Sequence, residues 1–441
     1  MEEIGKLPDE LHTIIPGGAH TYSRGDDTFP SNAPRMLTRG RGAYVWGEDN
    51  SRYIDWGMAL RSVSIGHHNL RVDRAVGKAI RRGVNMSRPI PEELELASLL
   101  RAIVPGAEMV KFGKNGSDAT AAAVRLARSF TGRDLVARCE DSDFISIQDW
   151  FIGSTAMDAG VPLSVRSLTL TFPYGSVDAI ETLFAENPGR IAALVLEPIG
   201  NRSETSADFL NQLIGICHRE GALVIFDETV SGFRVSPGGA QELLGVEADM
   251  ATFGKAIANG YALSALTGKQ EILERGGIRH AHKRTFLMSS TYGSERVGLA
   301  AGIATVEQLR DGTIISDNLA VMTELVAKLR NSFKVEGIDN HLRITGLPVS
   351  PNISFVNEEG NPDYAIKTLF MQSMVEEGIL LSQHLFSIAA CHRGRVVKRT
   401  LGAIEKVSKS LASSIRRNIV KTEIRGDIVK PVFRVYNADA S

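Results

Sequence analysis

Short unbroken apolar runs alternate with helix-period stripes through the middle of the chain. Ile191-Ala192-Ala193-Leu194-Val195-Leu196 and Ala222-Leu223-Val224-Ile225-Phe226 contain no polar residue, the pattern of strands covered on both faces. Between them, Ala207 to Glu220 sets Phe209, Leu210, Leu213, Ile214 and Cys217 on one helical stripe. Strand, helix, strand in this rhythm predicts a right-handed parallel α/β unit. Upstream, Gly116-Ser117-Asp118 opens an Ala-rich helix from Ala119 to Phe130 with a good N-cap at its start. Near the front, Pro16-Gly17-Gly18 signals a turn, and Ala43-Tyr44-Val45-Trp46 followed by Tyr53-Ile54 reads as a hairpin. Beyond about residue 313 the pattern changes to long amphipathic helices and short strands, ending in a basic helix near Val396 to Ile419. The organisation expected is a large central α/β domain over residues 61–312. Residues 1–60 and 313–441 are expected to join in a smaller α+β domain from both chain ends.

Composition narrows the partners. A hydrophobic fraction of 43% with 23% charged residues suits a water-soluble globular protein. Fifty basic side chains against 51 acidic ones give a net charge of -1, which speaks against nucleic acid or an anionic membrane. No apolar run reaches 18 residues, and Met1-Glu2-Glu3-Ile4-Gly5-Lys6 is charged where a signal peptide would be greasy. Cys139, Cys217 and Cys391 stand far apart and form no CxxC pair, so no disulfide framework or zinc site is expected and a cytoplasmic setting follows. The histidines show no metal-ligand spacing, and His67-His68 reads as a turn before a helix.

Candidate chemistry collects where the apolar runs end. In open α/β sheets, ligands bind at the carboxyl ends of the strands. Glu197 follows one run, Asp227 and Glu228 follow the next, and Lys255 follows Asp249-Met250-Ala251-Thr252-Phe253-Gly254. Burial lowers a lysine's pKa and frees its amine as a nucleophile, which Schiff-base chemistry needs. An aspartate at a neighbouring strand end can hold a protonated pyridine nitrogen, and Asn115-Gly116-Ser117-Asp118 offers backbone donors and a helix dipole to a phosphate. Singly, each signal has a bland reading: a solvated lysine, a loop cap, an ordinary helix start. Their order and spacing together are specific.

Here the chain resembles the class-III, fold-type-I aminotransferases, and within them the branch that includes glutamate-1-semialdehyde aminomutase. The stretch from Val224-Ile225-Phe226-Asp227-Glu228-Thr229 to Val230-Ser231-Gly232-Phe233-Arg234 is similar to the family signature, and Lys255 follows at the family's spacing. The resemblance implies pyridoxal 5'-phosphate (PLP) as cofactor, held by the Lys255 amine, which then moves a proton between substrate and cofactor carbons. It implies that Asp227 pairs with the pyridine nitrogen, and that Asn115, Gly116 and Ser117 meet the phosphate. Glu197 matches a strand-end glutamate near the cofactor. Thr291, in Ser290-Thr291-Tyr292-Gly293, matches a threonine that reaches the phosphate from the partner subunit, which implies a homodimer with shared sites.

Departures from the family pattern bear on the substrate. The usual aromatic-His-Gly triplet is replaced by Asp143-Phe144-Ile145-Ser146, leaving Phe144 as candidate ring stacker or as a core phenylalanine. After Thr291 the usual Ser-Gly-Asn-Pro gives way to Tyr292-Gly293-Ser294-Glu295-Arg296, which places Glu295 and Arg296 near the expected site entrance. Gly17-Gly18-Ala19-His20-Thr21-Tyr22-Ser23-Arg24 lies where the aminomutase binds a carboxylate, so Thr21 and Arg24 fall on matching positions. Arginine suits that task through its bidentate fork. Arg61 adds a cation to the expected pocket, beside Leu60 where the aminomutase has tryptophan. For both arginines a structural salt bridge is the competing reading. The leading expectation is transamination from an amino acid donor, glutamate, to the carbonyl of a small polar, sugar-like or otherwise specialised biosynthetic substrate. Intramolecular amino transfer of the aminomutase type is the second. A PLP-fold binding module without turnover is disfavoured by the intact Lys255 and Asp227.

Overall fold

The computed structural model describes residues 7–200 and 203–437, so the charged stretch at Met1–Lys6 lies outside the described residues. In chain order the strands are β1 (Leu37–Arg41), β2 (Tyr44–Gly47), β3 (Arg52–Asp55), β4 (Met109–Gly113), β5 (Leu135–Cys139), β6 (Thr169–Phe172) and β7 (Ile191–Leu196). They continue as β8 (Leu223–Asp227), β9 (Met250–Phe253), β10 (Ser264–Gly268), β11 (Leu342–Thr345), β12 (Asn352–Phe355) and β13 (Ile379–Leu380). The described chain divides into two compact units. A central unit runs from Leu70 to Ile315 and takes in the chain from Phe433 onward. A terminal unit combines the chain up to Asn69 with Ser316–Val432.

The central unit is built on a seven-stranded sheet of order β4-β10-β9-β8-β7-β5-β6. From β9 across to β6 all neighbours are parallel, and β10 runs antiparallel to both β9 and β4. The apolar runs explain the order: every residue of β5, β7, β8, β9 and β10 is buried, whereas the edge strands β4 and β6 are only half covered. The helix between β7 and β8 spans Ala207–Arg219 and is capped by the Ser206 hydroxyl, which accepts from the Phe209 N–H. The Gly116–Thr131 helix lays Ala119, Ala122, Ala123 and Ala127 in the same apolar cluster as Val136, Ala193, Val195 and Ile225. Side chains that small let its backbone sit close to the sheet, against β7, which leads into Glu197, and β8, which ends in Asp227.

In the terminal unit β1, β2 and β3 form an antiparallel meander, the hairpin the sequence predicted, and β13 joins β3 in parallel. Trp56 is fully buried, stacked on the His392 ring at 4.0 Å, and its indole N–H donates to Thr400 Oγ1 at 3.0 Å. Burial pushes the His392 imidazole down to about 4. The Arg395–Arg416 helix buries Val396, Ile404, Val407 and Leu411. Met58, Ala59, Leu60 and Arg61 all take positive φ (42, 49, 58 and 70°), a left-handed turn in which no residue is glycine. Asp55 holds it: one carboxylate oxygen accepts from the Gly57 and Met58 N–H groups, and the other lies 2.8 Å from His67 Nε2. His67-His68 does precede a helix, Leu70–Arg81, but His67 also serves as this strut.

Candidate active site

β8 and β9 lie side by side with Asp227 in register with Thr252, so their carboxyl ends open together. Asp227 is only 3% exposed. Its Oδ1 accepts from the Thr229 N–H at 3.0 Å and from the Thr252 hydroxyl at 2.9 Å, and neither bond runs to Oδ2. Burial raises its carboxyl pKa, against the lowering pull of the Thr229 and Thr252 hydrogen bonds and of the Lys255 charge. Lys255 therefore stands close enough to Asp227 for its charge to be felt. It follows β9 after Gly254, half-buried, with φ at 42°, a left-handed conformation that a lysine adopts only when its surroundings impose it. In β7, Leu196 pairs with Phe226, so Glu197 leaves the sheet level with Asp227; its N–H donates to Ser142 Oγ at 3.0 Å.

The Gly116–Thr131 helix begins at the same end of the sheet. Its start is fixed by a reciprocal cap: Asn115 Oδ1 accepts from the Asp118 N–H, and Asp118 Oδ2 accepts from the Lys114 and Asn115 N–H groups. Among the described residues the Gly116 and Ser117 N–H groups donate to no acceptor, so two amide donors are left at the positive end of a helix dipole. Ser117 Oγ accepts from the Ile147 N–H at 3.0 Å, which pins the Phe144–Ile147 segment to the helix start. Gly116, Thr229 and Gly254 meet at this point. A Cβ on Gly116 would stand 3.0 Å from Thr229 Oγ1, and one on Gly254 would stand 3.2 Å from Thr229 Cγ2 and 3.8 Å from Gly116 Cα. Three segments far apart in sequence thus converge on one small cradle. The Thr229 hydroxyl, buried there, has no hydrogen-bond partner among the described residues.

These residues fit a phosphorylated pyridine aldehyde. A buried carboxylate with an uncommitted oxygen suits a ring N–H, a half-buried lysine suits the aldehyde, and free amides with an orphaned hydroxyl suit a phosphate. Lys255, Asp227, Asn115, Gly116, Ser117 and Glu197 are all brought to one end of the central sheet. Phe144 comes with them, 44% exposed, its ring edge-on to Phe151 at 5.9 Å and tilted against Phe433 at 6.3 Å. Thr291 lies in an exposed turn, and its carbonyl accepts from Asn85 Nδ2 at 2.9 Å.

Glu295, expected as a substrate contact, has a structural role of its own. It is the N-cap of the Arg296–Leu309 helix: Oε1 accepts from the Gly298 N–H at 2.7 Å and Oε2 from the Val297 N–H at 2.8 Å. Lys114 Nζ adds an ion pair at 2.6 Å, so both oxygens are committed within the chain. Arg296, expected at the entrance, is buried instead. Its Nη1 donates to the Arg82 and Gly83 carbonyls, and Nε lies 3.3 Å from Glu92. Thr21, Arg24 and Arg61 belong to the terminal unit. Arg24 closes a short turn, Tyr22–Arg24, and its exposed guanidinium has no ion-pair or hydrogen-bond partner among the described residues, so no salt bridge accounts for it. Arg61 ends the left-handed turn, with Nη1 3.4 Å from Ser350 Oγ.

Sequence reading passed over Thr229, Thr252 and Lys114. Thr252 carried a signal, a hydroxyl inside an otherwise apolar buried strand, where it must find a partner. Among the described residues no helix is long and apolar enough to cross a membrane, and no group of His, Cys, Asp and Glu is arranged to hold a metal ion.

The family model "Aminotransferase class-III" matches residues 28–388. The curated glutamate-1-semialdehyde 2,1-aminomutase of Methanothermobacter thermautotrophicus is 33% identical over 421 residues, covering 90% of this chain and 97% of that protein. Its counterpart from Ruminiclostridium cellulolyticum is 30% identical over 424 residues, 91% and 96% of the two chains. Among solved structures, the PLP form of the Sphingopyxis sp. MTA144 FumI protein superposes with a TM-score of 0.85 at 25% identity, covering 94% of this chain and 98% of that one. A glutamate-1-semialdehyde aminomutase from Pseudomonas aeruginosa PAO1 shares the fold at 20% identity, with a TM-score of 0.79 over 93% and 95% of the chains. With the match to the family model spanning most of its length, and this site at the sheet's carboxyl end, the chain belongs to the class-III aminotransferases, PLP-dependent transaminases of fold type I.

Proposed function

We propose that the chain transfers an amino group from glutamate to the carbonyl of a small polar substrate, with Lys255 and Asp227 as its catalytic residues. The observation that carries this is the Asp227–Thr252–Lys255 arrangement beside two free helix amides. When bound, PLP supplies a ring that accepts the electron pair left on the substrate carbon. Lys255 Nζ would hold the cofactor by its aldehyde and, as a free amine, would move a proton at the substrate carbon. Asp227 would favour a protonated ring nitrogen, its Oδ1 being fixed by Thr229 and Thr252 and its other oxygen left to accept. The amides of Gly116 and Ser117, with the Thr229 hydroxyl, hold the phosphate. Phe144 and Glu197 would contact the cofactor, and Thr21 with Arg24 would take the donor's carboxylate; that the Arg24 guanidinium has no partner among the described residues supports that role. Arg61 lines the acceptor side.

Homodimerisation completes the proposal, with Thr291 reaching the partner's phosphate. Support comes from exposed apolar side chains in the segment that includes Thr291: Tyr292 is 63%, Phe286 67% and Ile278 79% exposed. The test of function mixes the yellow holoenzyme with single amino acids and follows its visible absorbance. Bleaching by glutamate with release of 2-oxoglutarate, absent in Lys255→Ala, is the expected result; a holoenzyme indifferent to glutamate overturns the donor assignment. A second reading, intramolecular transfer, draws on the relatives at 30–33% identity that bear the aminomutase name. It would isomerise glutamate-1-semialdehyde with no 2-oxoglutarate released.

A further inference from the structure

Lys114 belongs to two helix caps at once, and nothing in the chemistry above uses it. Its main-chain N–H donates to Asp118 Oδ2 at 2.9 Å, inside the reciprocal cap that starts the Gly116–Thr131 helix. Its side chain crosses to the cap of the Arg296–Leu309 helix. There Nζ lies 2.6 Å from Glu295 Oε1 and donates to the Ala262 carbonyl at 3.1 Å, with both members of the ion pair mostly buried. The ammonium fits because residue 298 is glycine: a Cβ there would stand 2.9 Å from Lys114 Nζ and 2.7 Å from the Ala262 oxygen. The Thr291 turn rests on the strand that ends just before Lys114. A Cβ on Gly293 would stand 3.2 Å from the Phe112 carbonyl of β4, and the Glu295 N–H donates back to the Tyr292 carbonyl at 3.2 Å.

Helix stability does not call for a lysine here. Glu295 already satisfies the Val297 and Gly298 amides, and an ammonium in the first turn of a helix lies at the wrong end of its dipole. What the ammonium adds is a tie between segments. One is the end of β4, which leads into the Gly116 and Ser117 amides. The second is the Ala262 segment, which enters β10 between β4 and β9. The third is the turn that carries Thr291.

We propose that Lys114 is a positioning residue for the cofactor phosphate, bracing the Thr291 turn against the Gly116–Ser117 helix start. It acts through those segments rather than on the cofactor, and the proposal rests on the reading of Gly116, Ser117 and Thr291 as phosphate contacts. Hydrogen bonds to a phosphate depend steeply on distance and angle, so donors from separate segments are effective only when their spacing is held.

The experiment measures PLP affinity and the denaturant midpoint of the cofactor-free proteins, and the phosphorus NMR spectrum of the holoenzymes. Lys114→Met should weaken PLP binding by about tenfold, the scale of one charge-assisted hydrogen bond, and shift the phosphorus resonance. Lys114→Arg, which keeps the charge, should restore most of both. A lowered midpoint with the wild-type affinity and resonance would mark the ion pair as merely structural and overturn the proposal. If the methionine variant does not fold, Lys114→Met combined with Glu295→Gln, which leaves no unpaired charge, takes its place with the same expectations. Gly116→Ala and Thr291→Val are measured alongside. If they lose affinity and the Lys114 variant does not, the proposal alone falls; if neither loses affinity, the phosphate reading falls and the proposal with it.

Discussion

At the scale of single residues, the cradle where Gly116, Thr229 and Gly254 meet is the most sensitive point. Alanine at position 116 would favour the helix it begins, by the glycine-to-alanine difference in helix propensity, about 0.5–1 kcal/mol. Its Cβ, however, would stand 3.0 Å from Thr229 Oγ1 and 3.2 Å from Thr229 Cγ2, closer than side chains ordinarily approach. Gly116→Ala is therefore expected to leave the cofactor-free protein as stable as before while weakening PLP binding, and Thr229→Ser, which removes the crowding methyl, should recover part of the loss. PLP affinity and the denaturant midpoint of the cofactor-free protein, measured on both single variants and the double, check this; unchanged PLP affinity in Gly116→Ala would show that the phosphate does not lie here. The placing of Lys255 and Asp227 at one end of the central sheet was legible in the sequence, because fully apolar runs mark buried strands and both residues stand just past or at the ends of such runs. The capping role of Glu295 was not, because its partners there are backbone amides, which no residue pattern displays.

At the scale of elements, the short Gly239–Leu244 helix depends on a carboxylate from another segment. Glu228 is fully buried; Oε1 accepts from the Gln241 N–H at 3.0 Å, and Oε2 from the Ala240 N–H at 2.8 Å and from the Ser231 hydroxyl. Burial pushes its carboxyl up to about 7 from an ordinary 4.5, the hydrogen bonds only partly opposing the shift. Because the folded value lies above the unfolded one, the stability tied to this group is fully present below about pH 4.5 and is lost as pH rises through about 7. Glu228→Gln cannot titrate. Between pH 5 and pH 8 the wild type should thus lose stability relative to the glutamine variant, read as urea midpoints of the cofactor-free proteins. A wild type that gains on the variant over that interval would mean that the helix amides, not burial, dominate. Elements such as β7, β8 and the helix between them were readable from periodicity alone. The left-handed Met58–Arg61 turn was not, since nothing in Met-Ala-Leu-Arg signals positive φ and the conformation comes from Asp55 and His67.

At the scale of the whole molecule, the homodimer proposal turns on which protomer's site Thr291 serves. Thr291 sits in an exposed turn tied to Asn85, and the chain around it displays Ile278, Phe286 and Tyr292 to solvent. Exposed apolar groups of that size in the segment carrying an expected site residue suit burial by another copy of the chain, as the homodimer proposal requires. If Thr291 acts across the interface, a site draws Lys255 from one protomer and Thr291 from its partner. Lys255→Ala homodimers then have no working site, and Thr291→Val homodimers have two sites weakened at the phosphate. A heterodimer of the two variants contains one site with both defects and one with neither. Random reassociation of equal amounts makes half the dimers heterodimers, so about one quarter of all sites become wild type, and amplitude should exceed the sum of the separate variants by about one quarter of the difference between wild type and Thr291→Val. If Thr291 serves its own protomer, every site in the mixture keeps one of the two defects and mixing restores nothing. A monomeric enzyme gives the same null result, and sedimentation of the unmixed wild type distinguishes the two. Recovery on mixing can arise only from a site shared between subunits.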